Sequence, residues 1–345
     1  MSSINVMGVQ HAYELTPPIG TGPVLVFVHG WLLSRNYWRP LIQQLSSTYQ
    51  CLAYDLRGFG ESSLPTVTLR DKAIISPLSF GEMRIADRLD LAVDAGMLGN
   101  GQPRYTPAAY GQDLIILLKQ LGISRAWIIG HSLGGSIALW AAAFAPQVIE
   151  GVVCLNSGGG IYVKEAFERF RQAGQQMLWF RPAWLPYVPY IEVAFSRMMV
   201  AQPLEQRWGR QRVIDFVAAH PEAARRSLLD STLPEQVHLL PQVVAHLSQP
   251  VLFLAGQQDP VMELKYVYHL ASFHHSFQGG HPNVIEIPDC GHMGMLEQPT
   301  AIAHHIQDLL AESVPNSPYR LDPAARDRGS PEAVAVPNES GDWHK

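Results

Sequence analysis

Short apolar runs alternate with segments of helical periodicity along most of the chain. A short apolar run followed by turn residues indicates a buried β-strand, and an apolar position at every third or fourth residue indicates a helix. Strands that alternate with helices pair in parallel, so this pattern predicts an α/β fold with a mostly parallel, doubly wound sheet. The predicted strands are 24–29, 51–55, 127–131, 151–156, 251–255 and 284–287, and the predicted helices are 37–45, 107–121, 136–144 and 300–312.

Three stretches interrupt this alternation. Residues 64–104 separate a predicted turn from the second helix, and nothing in their mixed composition indicates a role. Residues 160–245 are too long for a connection and rich in aromatic residues. They predict a helical cap inserted between two parts of one core, 1–159 and 246–313. Residues 314–345 are rich in Pro, Ser, Asp and Arg with few apolar residues, which is typical of a disordered tail.

The most informative motif is Gly130-His131-Ser132-Leu133-Gly134, which lies between a predicted strand and an Ala-rich helix. A sharp turn from a strand into a helix places a serine in a strained backbone conformation. Glycines two residues before and after it let the neighbouring chain pass closely. The helix that follows also presents a backbone N–H to a developing oxyanion. Ser132 is therefore the candidate nucleophile.

A serine nucleophile needs a base, and the base needs an acid that orients it. With a serine in a strand-turn-helix setting, the expected chain order is Ser, then Asp or Glu, then His. Asp259 follows the predicted strand 251–255, and His292 follows the strand 284–287. Both therefore lie at the carboxyl edge of the sheet, where open α/β sheets bind their ligands. We predict that Ser132, His292 and Asp259 form a catalytic triad.

Other residues compete for these roles. Asp289 is closer to His292 in sequence, but its position favours a turn-capping role. Glu297 lies about one helical turn after His292 and is expected to hold this loop through a hydrogen bond or an ion pair. A polar surface segment is the interpretation we favour over a metal site for the irregularly spaced group His269, His274, His275 and His281.

An oxyanion hole needs a second backbone N–H besides that of the residue after the nucleophile, here Leu133. The predicted strand 24–29 ends in a glycine-containing loop, His-Gly-Trp-Leu, at the corresponding edge of the sheet. The N–H of Trp31 is the expected donor, with Leu32 as the alternate donor if the register differs by one residue.

These motifs resemble an α/β-hydrolase-fold serine hydrolase over residues 20–160 and 245–312. The run Tyr-Asp-Leu-Arg-Gly-Phe-Gly-Glu-Ser resembles a structural turn of that family, in which Asp55 and Arg57 shape the loop near the site. The resemblance places the cap after strand 6 of the sheet. Similar members include cofactor-free haloperoxidases and perhydrolases, carboxylesterases, C–C bond hydrolases and epoxide hydrolases. Epoxide hydrolases and haloalkane dehalogenases use an aspartate as nucleophile, whereas this chain has Ser132, so the resemblance implies ester or acyl chemistry.

The aromatic residues of the cap admit three interpretations. Residues 177–190 are dense in aromatic residues and prolines. Such a segment either buries an apolar face on the core, lines an apolar acyl or alcohol pocket, or contacts a membrane surface. The segment lacks a basic face, which disfavours the membrane but leaves a peripheral contact open. The pocket residues that we predict are Trp179, Trp184 and Tyr187.

Composition narrows the function classes further. The chain has 345 residues and a net charge of −5, and it lacks a clustered Lys/Arg face, so nucleic acid is not an expected partner. Three cysteines are an odd number, which predicts buried free thiols rather than a disulfide framework. The N-terminal residues do not resemble a secretory signal, and no apolar run approaches the roughly 18 residues that span a membrane. A reducing cytoplasm is the expected location.

The sequence thus predicts a serine hydrolase that cleaves a small hydrophobic carboxylic ester through an acyl-enzyme. It contains no phosphate-binding loop, dinucleotide motif, Cys-x-x-Cys or His-Glu-x-x-His, so neither a cofactor nor a metal is expected. Two alternatives stay open. One is perhydrolase or C–C bond hydrolase activity at the same triad, and the other is a ligand-sensing protein that retains a slow triad. The oligomeric state also stays open.

Overall fold

The computed structural model describes residues 2–62, 105–160, 164–278 and 283–313. The chain divides into two compact units, residues 1–303 and residues 304–345. The first unit contains the sheet and the candidate site. Of the second unit, residues 304–313 are described, and they form the end of the last helix.

The described residues of the first unit form a sheet of eight strands. Its strands are β1 (Ser2–Val6), β2 (Val9–Leu15), β3 (Val24–Val28), β4 (Cys51–Tyr54), β5 (Ala126–His131), β6 (Ile149–Leu155), β7 (Val251–Gly256) and β8 (Val284–Ile287). They follow the order β1-β2-β4-β3-β5-β6-β7-β8. The hairpin β1–β2 is antiparallel and pairs antiparallel with β4, and all other pairs are parallel. The predicted α/β fold with a mostly parallel sheet is confirmed, whereas the N-terminal hairpin was not predicted.

Helices flank this sheet. The described helices are α1 (Arg39–Leu45), α2 (Pro107–Gln120), α3 (Leu133–Phe144), α4 (Lys164–Trp179), α5 (Ile191–Ser196), α6 (Gln206–Ala218), α7 (Pro221–Ser231), α8 (Pro234–His246), α9 (Leu264–Ala271), α10 (His275–Gln278), α11 (Gly294–Glu297) and α12 (Pro299–Ser313), with short 3-10 turns at Arg35–Trp38 and Leu185–Tyr187. The start of α2 follows from its sequence. Thr106 Oγ1 accepts a hydrogen bond from the N–H of Ala109 at 3.2 Å, and Pro107 takes the first position, where a missing N–H is tolerated.

The five helices from α4 to α8 lie between β6 and β7 in the chain. This helical region matches the position predicted for the cap, and residues 160–245 keep that name below. The boundaries predicted between core and cap stay predictions. The predicted insertion, 64–104, and the predicted tail, 314–345, lie outside the described residues.

The cysteines and one histidine bear on the sequence predictions. Cys51, Cys154 and Cys290 are free and buried, as expected. The expectation that the histidine group is a polar surface segment is wrong for His274, which is fully buried. Its Nε2 donates a hydrogen bond to the carbonyl oxygen of Gln249 at 3.1 Å, which offsets the cost of burying this polar atom. Within the described ranges, no group of three or more His, Cys, Asp or Glu side chains could hold a metal ion. Over the same part of the chain, no helix is both long and apolar enough to cross a membrane.

Candidate active site

Ser132 lies in the sharp turn between β5 and α3. Its φ of 53° and ψ of −118° are a combination that a residue other than glycine rarely adopts. The flanking glycines are needed for close approach. A Cβ at Gly130 would overlap the carbonyl group of Gly134, and a Cβ at Gly134 would overlap the carbonyl oxygen of Val28. The N–H of Ser132 donates to the carbonyl oxygen of Leu155 at 3.0 Å, so the sheet holds the strained turn in place.

His292 and Asp259 form a buried hydrogen-bonded pair, with Nδ1 and Oδ2 2.8 Å apart. The other carboxylate oxygen, Oδ1, accepts the N–H groups of Val261 and Met262 at 2.8 and 2.9 Å. Burial alone would raise the pKa of Asp259, but the charge of His292 and these hydrogen bonds outweigh it and hold that pKa below its usual value. A charged carboxylate only accepts, so Nδ1 carries the proton and Nε2 is the ring atom available as a base.

This pair lies beside the serine turn, because the rings of His292 and His131 are 4.8 Å apart and His131 directly precedes Ser132. His131 Nε2 also donates to the carbonyl oxygen of His292 at 2.7 Å. Burial, with the nearby charge of His292, lowers the pKa of His131 to about 3, so its ring stays neutral. The structure thus brings Ser132, His292 and Asp259 to one place. Their roles in catalysis stay a prediction.

Two acidic residues close to His292 in sequence play other parts. Asp289 adopts a φ of 50° in the exposed turn after β8. Glu297 accepts the N–H of Gly291 on Oε2 and the N–H of Met293 on Oε1, each at 2.9 Å. Glu297 therefore holds the loop on both sides of His292, as its position in the sequence predicted.

The cap also contacts the His292 loop, residues 290–293, a contact that no sequence pattern predicted. The N–H of His292 donates to the carbonyl oxygen of Met199 at 2.8 Å, and the N–H of Ala201 donates to Glu297 Oε2 at 2.7 Å. A Cβ on Gly291 would come within 2.6 Å of the backbone nitrogen of Ala201. Glycine at this position thus lets the cap backbone lie directly against the loop.

The candidate oxyanion loop follows β3 and is fixed from two sides. His29 is buried, its Nδ1 donates to the carbonyl oxygen of Gly30 at 2.8 Å, and its Nε2 accepts the N–H of Leu56 at 2.9 Å. Burial lowers the pKa of His29, so this ring is neutral too. On the other side, Trp31 Nε1 donates to the carbonyl oxygen of Ala224 in α7 at 2.8 Å. The sequence motif contained His29, but only the structure reveals that it supports the loop.

The predicted oxyanion donors lie at the cavity over Ser132. Leu133 is the first residue of α3, so its N–H has no partner within the helix. Trp31 and Leu133 line the cavity together with Ser132. Leu32 is buried and has a φ of 58°. Trp31 lines the cavity and Leu32 does not. The choice between the two registers and the role of these N–H groups stay predictions.

The cavity lies between the core and the cap and has a volume of about 100 Å³. The core contributes Trp31 and Trp140, and the cap contributes Phe170, Leu228 and Leu240. Apolar cavities of about 150 Å³ bind benzene, so this cavity holds only a few carbon atoms. Six hydroxyl side chains also line the cavity, those of Ser132, Ser136, Ser157, Ser227, Ser231 and Thr232. A mainly apolar surface with a few polar groups is typical of small-molecule sites.

The predicted pocket residues Trp179, Trp184 and Tyr187 do not lie at this cavity. Their exposed fractions are 88%, 56% and 80%. The guanidinium of Arg181 donates to two carbonyl oxygens at the end of α6, which fixes the segment on the outer side of the cap. The cap contributes its cavity lining from α4, α7 and α8 instead. We call Trp179, Phe180, Trp184, Tyr187 and Tyr190 the aromatic surface, and its contact with a membrane stays a prediction.

Comparison with known proteins places this geometry in a family. A model of the alpha/beta hydrolase fold matches residues 23–299. The chain is 24% identical over 300 residues to 3-oxoadipate enol-lactonase 2 of Acinetobacter baylyi, covering 84% of this chain and 88% of that protein. It is 26% identical over 301 residues to the 2-succinyl-6-hydroxy-2,4-cyclohexadiene-1-carboxylate synthase of Serratia proteamaculans, covering 84% and 93%. A thermophilic esterase from Thermogutta terrifontis superimposes with a TM-score of 0.61 at 22% identity over 91% of this chain and 99% of that one, a likeness of fold alone.

Proposed function

The chain belongs to the alpha/beta hydrolase fold family, and from that premise we propose that it hydrolyses carboxylic esters through an acyl-enzyme on Ser132. Ser132 Oγ attacks the ester carbonyl carbon while His292 Nε2 takes the hydroxyl proton. The tetrahedral intermediate then expels the alcohol, which leaves with that proton. Water attacks the acyl-enzyme with the same base, and the carboxylic acid leaves Ser132 regenerated.

In this proposal the remaining residues stabilise charge. Asp259 accepts a hydrogen bond from the Nδ1–H group of His292, which keeps Nε2 free to act as the base and stabilises the imidazolium that forms. The N–H groups of Trp31 and Leu133 donate hydrogen bonds that stabilise the negative charge on the oxygen of the tetrahedral intermediate. Backbone donors fixed in a water-poor cavity need no reorganisation during the reaction, and this gives them much of their catalytic effect.

One observation carries the proposal: Ser132, which lines the cavity, lies in a strained turn beside a buried His–Asp hydrogen bond of 2.8 Å. Backbone strain of this kind is costly and occurs mainly at functional sites, so an ordinary buried turn would not be expected to keep it at Ser132. The names of similar proteins, which include an esterase and enol-lactonases, agree with ester chemistry.

The cavity supports a narrower proposal about the acyl group. A volume of about 100 Å³ matches a short acyl chain, and a long chain would have to extend beyond the cavity. Movement of the cap is opposed by the hydrogen bonds that join α7 to the core, from Trp31 to Ala224 and from the N–H of His220 to Gly58. We therefore expect acetyl to butyryl esters to be the preferred substrates.

A series of p-nitrophenyl esters tests both levels of this proposal. We expect kcat/KM to be highest for acetate to butyrate and to fall for octanoate. A preference for octanoate would mean that the cavity is not the acyl pocket, although the protein would still be an esterase. Absence of turnover with every ester, together with absence of labelling by a fluorophosphonate, would contradict ester hydrolysis itself.

A further inference from the structure

Asn156, the residue after β6, is bonded both to the candidate acid and to the loop of the candidate base. Its Nδ2 donates to Asp259 Oδ2 at 2.9 Å and to the carbonyl oxygen of Gly291 at 3.0 Å. Both neighbours can only accept, so the two amide hydrogens must face them. The Oδ2 atom of Asp259 also accepts from His292 Nδ1, so Asn156 and His292 donate to the same carboxylate oxygen.

The backbone at Asn156 is held in an unusual conformation. Its φ is 48°, in the left-handed region that asparagine tolerates better than most other residues. The N–H of Asn156 donates to the carbonyl oxygen of Leu254 on β7 at 2.8 Å, which ties the residue to the strand that precedes Asp259. The side chain is 99% buried, and its Oδ1 has no hydrogen-bond partner. The side chain therefore acts through its two donors.

We propose that Asn156 is a positioning residue that keeps the Asp259 carboxylate in register with His292. This inference rests on the function proposed above. One amide hydrogen fixes the carboxylate oxygen that His292 uses, and the other fixes the residue that directly precedes His292. The acid and the base reach the site from different strands, β7 and β8, and Asn156 links them from a third strand, β6.

The removal of this amide has two physical consequences. The Asp259 carboxylate loses a hydrogen bond to its charged form, so the His292–Asp259 pair binds a proton more tightly. The carbonyl of Gly291 loses its buried donor, so the loop that carries His292 is less well fixed. Both effects fall on the catalytic step, whereas a purely structural role would lower only the amount of folded protein.

Asn156→Gly is the direct test, because glycine adopts a positive φ without strain and the substitution removes only the side chain. The matched control is Asn283→Gly. Asn283 is also buried, its Nδ2 donates to the carbonyl oxygen of Val251 at 3.0 Å, and its Oδ1 is also unpartnered. It precedes β8 and bonds to no residue of the candidate site. Melting curves of both variants measure the stability that each loses.

In Asn156→Gly we expect kcat for p-nitrophenyl acetate to fall by about 10- to 100-fold with little change in KM, because small misplacements of catalytic groups slow the chemical step. We also expect the acidic limb of the kcat/KM profile to move to higher pH. Asn283→Gly should keep the wild-type kcat per folded molecule and the wild-type acidic limb. An Asn156→Gly enzyme with the same kcat and the same acidic limb as the control would overturn the inference.

If Asn156→Gly does not fold, Asn156→Asp is the second test, because its side chain has nearly the same size as that of asparagine. The new carboxyl group lacks the two N–H donors and places a second acidic group beside Asp259, so the acidic limb should again move to higher pH. An unmoved limb in a folded Asn156→Asp enzyme would overturn the inference. A wild-type protein that neither turns over esters nor reacts with a fluorophosphonate would contradict the proposed function itself. Equal activity of Asn156→Gly and Asn283→Gly would contradict only the role of Asn156.

Discussion

The N–H of His292 donates to the carbonyl oxygen of Met199 at 2.8 Å, so the loop of the candidate base is bonded to the cap as well as to the sheet. Met199 has a φ of 56°, and the next turn of the cap donates the N–H of Ala201 to Glu297. Glu297 in turn accepts two N–H groups of the His292 loop. The cap therefore helps to place the candidate base in addition to covering the cavity.

Glu297→Ala should destabilise the protein through this loop. The substitution leaves the N–H groups of Gly291, Met293 and Ala201 without their acceptor, and a buried unpaired N–H costs about 1–3 kcal/mol. We expect the free energy of unfolding, measured in urea, to fall by on the order of 3 kcal/mol after local relaxation. The control is Glu263→Ala at the exposed ion pair with Lys265, which should change it by less than about 1 kcal/mol. Equal stability of the two variants would mean that Glu297 does not hold the loop.

Asp259→Asn and Asp289→Asn should differ sharply in activity. Asn at position 259 stabilises the wrong tautomer of His292, so kcat should fall by about 10³- to 10⁴-fold in a protein that still folds. Asp289 lies in an exposed turn, where its carboxylate accepts a hydrogen bond from Gln258, so Asp289→Asn should keep nearly all of the activity. Steady-state kinetics with p-nitrophenyl acetate check both. The reverse ranking would place the acid elsewhere.

Much of this site could be predicted because its features are local in sequence. The glycines around Ser132 indicate a tight turn, and the apolar strands before Asp259 and His292 bring the carboxyl ends of those strands to one edge of the sheet. Asn156 and Met199 could not be found in this way. Their partners lie roughly a hundred residues away in the chain, and nothing in a local pattern indicates which distant carbonyl or carboxylate a given N–H will meet.

The outer part of the cap shows a second limit of sequence reasoning. A segment as rich in Trp and Tyr as 177–190 predicts burial or a pocket, because such rings usually leave water. Which side of the cap the segment occupies depends instead on contacts such as that of Arg181 with the end of α6. The N-terminal hairpin β1–β2 was also missed, since its short strands have mixed rather than continuous apolar character.

Trp184→Ala should therefore leave the ester preference unchanged. Trp184 is 56% exposed and lies outside the cavity, so the ratio of kcat/KM for octanoate to that for acetate should equal the wild-type ratio. The matched aromatic variant is Phe170→Ala, which removes a ring from the cavity lining and should raise that ratio. If Trp184→Ala lowers the ratio while Phe170→Ala does not change it, the acyl chain binds at the aromatic surface instead.

The stability of the protein should depend on pH through Asp215. This carboxylate is buried between α6 and the core, where Ser34 Oγ donates to it at 2.8 Å, and burial raises its pKa to about 7. An unfolded aspartate has a pKa of about 4, so between about pH 4 and pH 7 the folded state binds the extra proton. The contribution of Asp215 to stability therefore falls as pH rises, by at most about 1.4 kcal/mol per pH unit. The buried neutral rings of His29 and His131 contribute a slope of the opposite sign, so the effect of Asp215 is the difference in slope between the wild type and a variant of Asp215.

Urea unfolding at pH 5 and pH 8 checks this dependence. Between pH 5 and pH 8, the stability of Asp215→Asn should change with a more positive slope than that of the wild type, because the amide does not titrate. The control, Asp230→Asn on the neighbouring helix α7, should keep the wild-type slope. Identical slopes in the wild type and in Asp215→Asn would contradict the account of Asp215.

Ser132→Ala, assayed together with a fluorophosphonate probe, tests the central claim most directly. The probe should label the wild type stoichiometrically and should not label Ser132→Ala, whereas Ser136→Ala, which removes another hydroxyl of the same cavity, should still be labelled. Repeated turnover of p-nitrophenyl acetate in the wild type, lost by on the order of 10⁴-fold or more in Ser132→Ala, separates an esterase from a sensor that is modified once. Full labelling and turnover in Ser132→Ala would contradict the assignment of Ser132 as the nucleophile.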